Sequence, residues 1–532
     1  MNKWISVLRS ALSRSKSAHK AEIVLPKSLT DLLPERKAAA IRNALRVAMA
    51  ENTGFAFSEV LEAARQANWS AIELEKLAAY VEFYSGRSEA AYQRIISLGL
   101  AKQDYPLFIT ACIYCYLFDR IEESYKLLKQ FEPANADNLD RGEFLAHAGY
   151  IVFSAGGSID EALAYFDEAI DEGVVTKSLA INAYLPYFEA GKHEKVDYLR
   201  QQIHERYATD PEALFALACI EMARGYYPEG FRLGESRYEM PETRRSINLT
   251  LLYKPRWKGG SLVGKTLLVH GEQGLGDMVM MARYLPLLVA REAKIIVDCR
   301  PEAITLLQHN YPECLFFAGD HGKPINHNFD IWIGVMSLPF HFNTTADSVP
   351  CKQGYLQVPL DQKSYWRERV FELTPNKNAL KIGLAWSGNP SHRADKRRSI
   401  PYESLFAHVR DFPDIHFYSL QTSVPPMCPT NLINTSDEMV TLADTAALIS
   451  EMDLVITVDT SVVHIAGALG KPTWLLLPYR YEWRWNLVGE GNNWYGSVRV
   501  FRQSIHGDWK GLLQDIFGSR LKELADNWHE AN

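Results

Sequence analysis

The sequence lacks most of the features that would assign it to a class at once. No apolar run approaches the length of a membrane span. Cysteines number only seven in 532 residues, an odd and scattered set that argues against a disulfide framework and for reduced thiols in a cytosolic setting. Cys112 and Cys115 in "ACIYCYLF" have the spacing of a ligand pair, yet no second pair or His-rich cluster accompanies them, so a buried helix surface is expected there. Positive charge is not in excess: the formal net charge is -7 and the pI is near 6.1, which gives nucleic acid no global attraction. There is no D-x-D, the common signature of a metal-clamped diphosphate.

What is present is a soluble globular composition, with 47% hydrophobic and 23% charged residues, in a chain too long for one ordinary core. Two or three domains are expected. Residues 1–34 form a basic N-terminal segment whose apolar stretch is too short for a signal h-region. On a helix, Trp4, Ile5, Leu8 and Leu12 would share a face, while Arg9, Arg14 and Lys16 lie elsewhere. A docked first helix is the expectation, with peripheral contact to an anionic inner-membrane surface as the other reading.

Residues 35–245 read as helical, and they repeat. "GRSEAAYQRI", "DRIEESYKLL", "GSIDEALAYF", "GKHEKVDYLR" and "GYYPEGFRLG" begin at Gly86, Asp119, Gly157, Gly191 and Gly225. That period suits tetratricopeptide-like helical hairpins, in which a small residue lets two helices press together. Ala91, Ser124, Ala162, Val196 and Gly230 take that place. A TPR-like α-solenoid is therefore expected, with a concave groove suited to a polypeptide or another subunit.

Beyond "LTLLYKPRWKGGSL" the grammar changes, and short apolar runs alternate with helical ones. "KTLLVH", "AKIIVDC", "KIGLAWSG", "IHFYSLQ", "DLVITV" and "TWLLLP" read as buried parallel strands, and a polar stretch near 355–380 divides them into two groups. Two facing Rossmann-like domains are predicted, at 256–375 and 376–532.

Ligands of open parallel sheets bind outside the carboxyl ends of the strands, and three such ends carry unusual residues. The first is "HGEQGLGD", with Glu272, Gln273, Gly274, Gly276 and Asp277 in a strand-to-helix turn. The second is "AWSGNPSHRADKRRSIP", where Ser387, Gly388 and Asn389 precede His392, Arg393, Lys396, Arg397 and Arg398, a cation cluster suited to a diphosphate. In the third, "DLVITVDTSVVHIAGALGKPTWLLLP", Asp459, Thr460 and Ser461 start a helix whose N-H groups suit phosphate oxygens. His464 lies inside that helix, suited to a core hydrogen bond or to a ligand. Trp483, Trp485, Trp494 and Tyr495 are placed either to stack on a base or sugar or to pack between the halves.

Taken in order, "EQGLGD", "AWSGNPSHRADKRRSI", "YSLQ", "DLVITVDTSVVHIAGALGKPTWLLLP" and "WRW" with "WYGSVRVFRQ" resemble the bacterial tetratricopeptide-repeat proteins whose C-terminal part belongs with the heptosyltransferase-like enzymes of glycosyltransferase family 9. The resemblance runs from about 220 to 505. It implies a GT-B fold and a nucleotide-sugar co-substrate with no other cofactor and no metal. Asp277 would be the catalytic base. The nucleotide-sugar would be bound by Ser387, Gly388, Asn389, Lys396, Arg398, Gln421, Asp459, Thr460, Ser461 and His464. Glu272, Gln273, Gly274 and Gly276 would form the acceptor-side loop. A metal-independent transfer with inversion to a glycan, lipid-linked or protein acceptor follows, in the cytoplasm, with a protein partner allowed for in the repeat groove. The chain departs from its relatives at Gly496 and "GNN", where they often show a proline and an acidic turn, and that departure bears on acceptor and base recognition.

Two rivals remain. A nicotinamide oxidoreductase would use Asp298 for a ribose, but the glycines run G-x-x-G-x-G rather than G-x-G-x-x-G. A catalytically idle adaptor would keep the repeats as the working part.

Overall fold

A computed structural model describes residues 70–84, 87–99, 105–117, 120–131, 138–173, 175–240, 243, 248–319, 323–390, 395–425, 427–479, 482–487, 489–505 and 507–531. The basic N-terminal segment expected at 1–34 lies outside the described residues. The chain divides into two compact units, Met1–Tyr207 and Ala208–Asn532.

Every described element of the first unit is helical: α1 (Ala71–Tyr84), α2 (Ser88–Ser97), α3 (Tyr105–Leu117), α4 (Ile121–Gln130), α5 (Asn138–Ser154), α6 (Ile159–Asp171), α7 (Lys177–Asn182), α8 (Tyr184–Glu189) and α9 (His193–Arg206). Consecutive helices pack in pairs, and the small residues of the repeat sit where they press together. Ala91, Ser124, Ala162 and Val196 are buried. A Cβ on Gly149 of α5 would come within 2.6 Å of Phe166 and 2.8 Å of the Ala162 carbonyl on α6. Gly191, at φ 68°, adopts the left-handed turn that joins α8 to α9. Cys112 and Cys115 are buried in α3.

The second unit opens with one more helical pair, α10 (Pro211–Ala223) and α11 (Tyr227–Gly234). Asp210 caps α10 through the amides of Glu212 and Ala213. Gly230 is again the close-approach position, since a Cβ there would lie 2.5 Å from Met222.

Two parallel sheets follow. The first has the order β3-β2-β1-β4, with β1 Thr266–His270, β2 Lys294–Cys299, β3 Cys314–Ala318 and β4 Ile331–Gly334. The second has the order β10-β9-β8-β5-β6-β7, with β5 Lys381–Ala385, β6 His416–Ser419, β7 Leu432–Ile433, β8 Leu454–Val458, β9 Thr473–Leu477 and β10 Val498–Arg502. β8 and β9 are buried along their whole length, so they read as unbroken apolar runs. Helices α12 (Leu275–Ala282) and α13 (Pro301–Asn310) follow β1 and β2. The polar stretch expected as a divider contains a helix, α14 (Leu360–Leu373), whose Trp366 and Val370 are buried. It packs on α15 (Leu442–Ser450), and α16 (Ser461–Ala468) follows β8. A C-terminal helical run from Trp509, widened to π-type turns over Ile516–Leu521, covers the second sheet with Trp509, Leu513, Ile516 and Phe517.

Among the described residues, no helix is long and apolar enough to cross a membrane.

Candidate functional site

The carboxyl ends of β1, β5, β6, β8 and β9 lead into the segments that carry nearly all of the candidate residues. The two sheets are brought together there by α12 and α16, which pack directly on each other. Gly276 makes this approach possible: a Cβ on it would lie 2.5 Å from Cδ2 of His464. His464 is buried and points Nδ1 at the Tyr495 hydroxyl, 2.9 Å away, while its ring stacks on Trp485. Burial pushes the His464 imidazole down to about 3, so it is neutral near pH 7.

The glycine-rich loop is held from several sides. The Gly274 amide donates to Oδ2 of Asp277 at 2.9 Å, which closes the first turn of α12. Gln273 sits at φ 67°, a left-handed conformation that a side chain resists. Glu272 accepts from Arg237 through Nε at 3.0 Å and Nη2 at 2.7 Å, and from the Met336 amide at 3.0 Å. Arg237 also donates to Ser337 and to the Tyr238 hydroxyl. Burial alone would raise the Glu272 carboxyl, but the Arg237 charge and hydrogen bonds outweigh it and hold it below its ordinary value. Glu272 is thus an anchor that ties the loop to the segment after α11 and to the end of β4.

Asp277 meets a partner from the other sheet. Arg484, in the segment after β9, donates from Nε to Oδ1 of Asp277 at 2.9 Å, and its Nη2 bonds the same oxygen. Nη2 also reaches Oε1 of Gln273 at 3.0 Å, and Nη1 bonds Glu482. The guanidinium lies over the Trp483 ring, 4.3 Å from its centroid. Burial opposes the Arg484 charge, but Asp277, Glu482 and Asp459 overcome it and raise its pKa further. Glu482 is pushed up, first by burial and then by Asp459 and Asp277, against the pull of Arg484. Asp459 is also raised by burial, with Arg484 and Arg398 opposing.

Around Asp459 lie the groups suited to phosphate. Arg398 donates from Nη1 to the Asp459 carbonyl at 2.9 Å and from Nε to Asp395 at 3.2 Å. Thr460 caps α16 by accepting from the Val462 amide at 3.3 Å, and Ser461 is the first residue of that helix. The loop after β5 is shaped by Gln421, whose Oε1 accepts from the amides of Trp386 at 2.8 Å and Ser387 at 3.0 Å, while its Nε2 donates to the Ser387 hydroxyl at 3.0 Å. Gly388 leaves room for the Arg398 guanidinium, since a Cβ there would lie 2.4 Å from Nη2. Asn389 is exposed at the loop tip. His392 and Arg393 lie outside the described residues, as does the side chain of Lys396.

The aromatic residues divide by burial. Trp485, Trp494 and Tyr495 are fully buried and pack at the seam, with Trp494 against Tyr227 and Phe231 of α11. Arg283, buried at the end of α12, donates to the carbonyls of Met280, Trp494 and Pro350 and fixes the same seam. Asp298, which a dinucleotide site would need for a ribose, is buried and bonded to His270 Nδ1 at 2.7 Å, its register neighbour on β1.

Arg484, Glu482 and Arg283 were not singled out by sequence reasoning. The only local signal was the arginine between the two tryptophans of "WRW". Among the described residues, no three His, Cys, Asp or Glu side chains gather into a metal-holding group.

Comparison with known proteins finds one family match over part of the chain and several distant likenesses. Residues 433–488, which include Asp459, Thr460, Ser461, His464, Glu482 and Arg484, match the family described as glycosyltransferase family 9 (heptosyltransferase). Protein FlbA of Caulobacter vibrioides is 27% identical over 340 residues, covering 58% of this chain and 55% of that protein, so the chain spans about half the length of this relative. Among solved structures, the ADP-heptose LPS heptosyltransferase II of E. coli is 16% identical, with 49% of this chain and 98% of that one covered at a TM-score of 0.34. A family 9 glycosyl transferase of Veillonella parvula is 13% identical, with 52% and 99% covered at a TM-score of 0.36. The O-GlcNAc transferase of Thermobaculum terrenum aligns along the whole chain, at 10% identity, 94% coverage of that protein and a TM-score of 0.25.

Proposed function

We propose that the protein is a glycosyltransferase that moves a sugar from a nucleotide-sugar to a hydroxyl of a glycan, lipid-linked or protein acceptor. In this reading the two parallel sheets are the halves of a GT-B fold, the second carrying the nucleotide. The helical unit is a TPR-type solenoid that holds the acceptor or a protein partner, in the cytoplasm or at the inner face of the membrane. The observation that carries the proposal is the meeting of Asp277, from the first sheet, with Arg484, from the second, beside the start of α16, where Arg398 braces the Asp459 carbonyl.

The chemistry uses those groups as follows. The acceptor oxygen attacks the anomeric carbon as the bond to the diphosphate breaks, and the Asp277 carboxylate takes the acceptor proton. The departing diphosphate carries the electron pair away, and its charge is met by Arg398, Arg484 and the helix N-terminus. A single displacement from the opposite face inverts the anomeric centre, and the cations present do the work that a metal does in D-x-D enzymes.

The test is a calorimetric screen of the purified chain against nucleoside diphosphates and nucleotide-sugars without added metal, with NAD and NADP alongside. Binding of one nucleotide with base selectivity supports the proposal, and loss of sugar transfer in Asp277→Asn assigns the base. Absence of nucleotide binding would leave the scaffold reading standing.

A further inference from the structure

Arg484 is bound more heavily than a structural ion pair requires. Its guanidinium meets two carboxylates, Asp277 and Glu482, as well as the Gln273 amide oxygen, and Asp459 adds a third negative charge to its surroundings. The contact joins two segments from different sheets, the turn after β1 and the segment after β9. The turn is held under strain, because Gln273 is kept at φ 67° while its side chain reaches Arg484. Arg484 is also not sealed from solvent, since its side chain and that of Asp277 each retain 12% exposure.

Resting on the glycosyltransferase reading above, we propose that Arg484 is shared between Asp277 and the donor: the donor's diphosphate takes the guanidinium, and the carboxylate so released becomes the base for the acceptor hydroxyl. A guanidinium fork fits two phosphate oxygens as well as it fits a carboxylate, so the exchange replaces one charge-assisted pair with another. Glu482 and the Trp483 ring keep Arg484 near the second sheet while Asp277 lets go. The consequence is an order of events, in which the donor binds first and the acceptor meets a competent base only afterwards. The proton removed from the acceptor ends on Asp277, and no other co-reactant is needed.

A double-mutant cycle on the full-length chain tests this. The probe is whichever of ADP, GDP, UDP, CDP and TDP binds the native protein without metal, and calorimetry reads its Kd. Arg484→Ala is expected to weaken binding by about tenfold or more, through loss of a charge-assisted pair. Arg484→Lys, which keeps the charge but not the fork, serves if the alanine variant does not fold, and is expected to fall between the two. Asp277→Asn is expected to tighten binding about three- to tenfold by removing the competitor for Arg484. In the Arg484→Ala or Arg484→Lys background that tightening should vanish or shrink in proportion.

An Asp277→Asn chain that binds the probe no more tightly than the native protein would overturn the exchange. So would tightening that persists undiminished beside the Arg484 substitution, since that marks simple repulsion of the anion. If the native protein binds none of the nucleotides, the functional reading and the exchange fall together. If it binds one and the cycle shows no coupling, the exchange alone falls.

Discussion

Replacing Gly276 by alanine places a methyl group where the two sheets meet. The new Cβ would lie 2.5 Å from His464 Cδ2 and 3.2 Å from its Nε2. Ordinary contact needs about 1 Å more. The imidazole is poorly placed to give way, because Tyr495 holds its Nδ1 at 2.9 Å and Trp485 lies stacked at 5.5 Å, with both neighbours fully buried. The strain therefore falls on α12. Overpacking of this kind costs about 1–3 kcal/mol, while alanine in a helix returns at most about 1 kcal/mol over glycine. The net loss is about 1 kcal/mol, a fall of roughly 1–2 °C in Tm for a unit of this size. The effect on turnover should be larger, because α12 carries Asp277, and a misplacement of about 1 Å costs on the order of a hundredfold. Scanning calorimetry and a transfer assay read the two effects. Gly274→Ala is the control for stability alone, as its Cβ would meet only the end of one side chain, Oδ2 of Asp277 at 3.3 Å, and not the His464 ring. A Gly276→Ala protein with native Tm and native turnover would refute the reasoning that this contact sets the position of α12.

Three further outcomes are expected. Arg398→Ala should weaken nucleoside diphosphate binding about tenfold by calorimetry, since it removes the side chain that braces the Asp459 carbonyl at 2.9 Å and, on the proposed reading, a charge-assisted contact to phosphate. Arg237→Ala should lose about 3–5 kcal/mol in urea unfolding, because it strands the Glu272 carboxylate among Tyr238, Ser337 and the Met336 amide, whereas Arg237→Ala combined with Glu272→Gln should recover part of that loss. His464, neutral in the fold with its pKa lowered to about 3, takes up its proton more readily when unfolded; stability therefore falls as pH drops below about 6.5, by at most about 1.4 kcal/mol per pH unit, and His464→Gln should flatten that slope in an acid-denaturation series.

The second sheet was legible because its central strands are buried on both faces. "LVITV" and "TWLLL" carry no charged residue, and they appear as β8 and β9. Its edge strand was not. β10 is "VRVFR", and its outward Arg499 breaks the run as an edge position permits. β7 is two residues long, too short to leave a pattern. In the helical unit the small residues at Ala91, Ser124, Ala162 and Val196 gave the pairing, because close helix approach leaves a local mark in sequence. For the site, the glycine-rich turn, the Arg398 loop and the Asp459 turn were visible as unusual residues at strand ends. Arg484 was not visible as a partner of Asp277. The two are 207 positions apart, and spacing carries no information about a pair made only when two sheets pack. The flanking tryptophans drew attention as stacking groups, yet Trp485 is fully buried in the seam, while Trp483 supports the guanidinium.

The charge count of the site constrains how the proposed nucleotide-sugar donor would enter it. Asp277, Asp459 and Glu482 act on Arg484, and Arg398 is bonded to the Asp459 carbonyl, so the carboxyl groups outnumber the nearby guanidinium groups before any phosphate arrives. A diphosphate adds at least two further negative charges, and repulsion between partly buried groups is screened by salt much less than that of surface pairs. Favourable entry then requires either that protons accompany the ligand or that a carboxylate leaves the guanidinium it holds. Glu482 and Asp459, both raised above their ordinary values, are placed to take up protons, and Asp277, on the opposite sheet, is placed to leave. Calorimetry of nucleotide binding in buffers of different ionisation enthalpy separates the two contributions. Proton uptake that persists in Asp277→Asn but disappears in Glu482→Gln would assign the proton to Glu482.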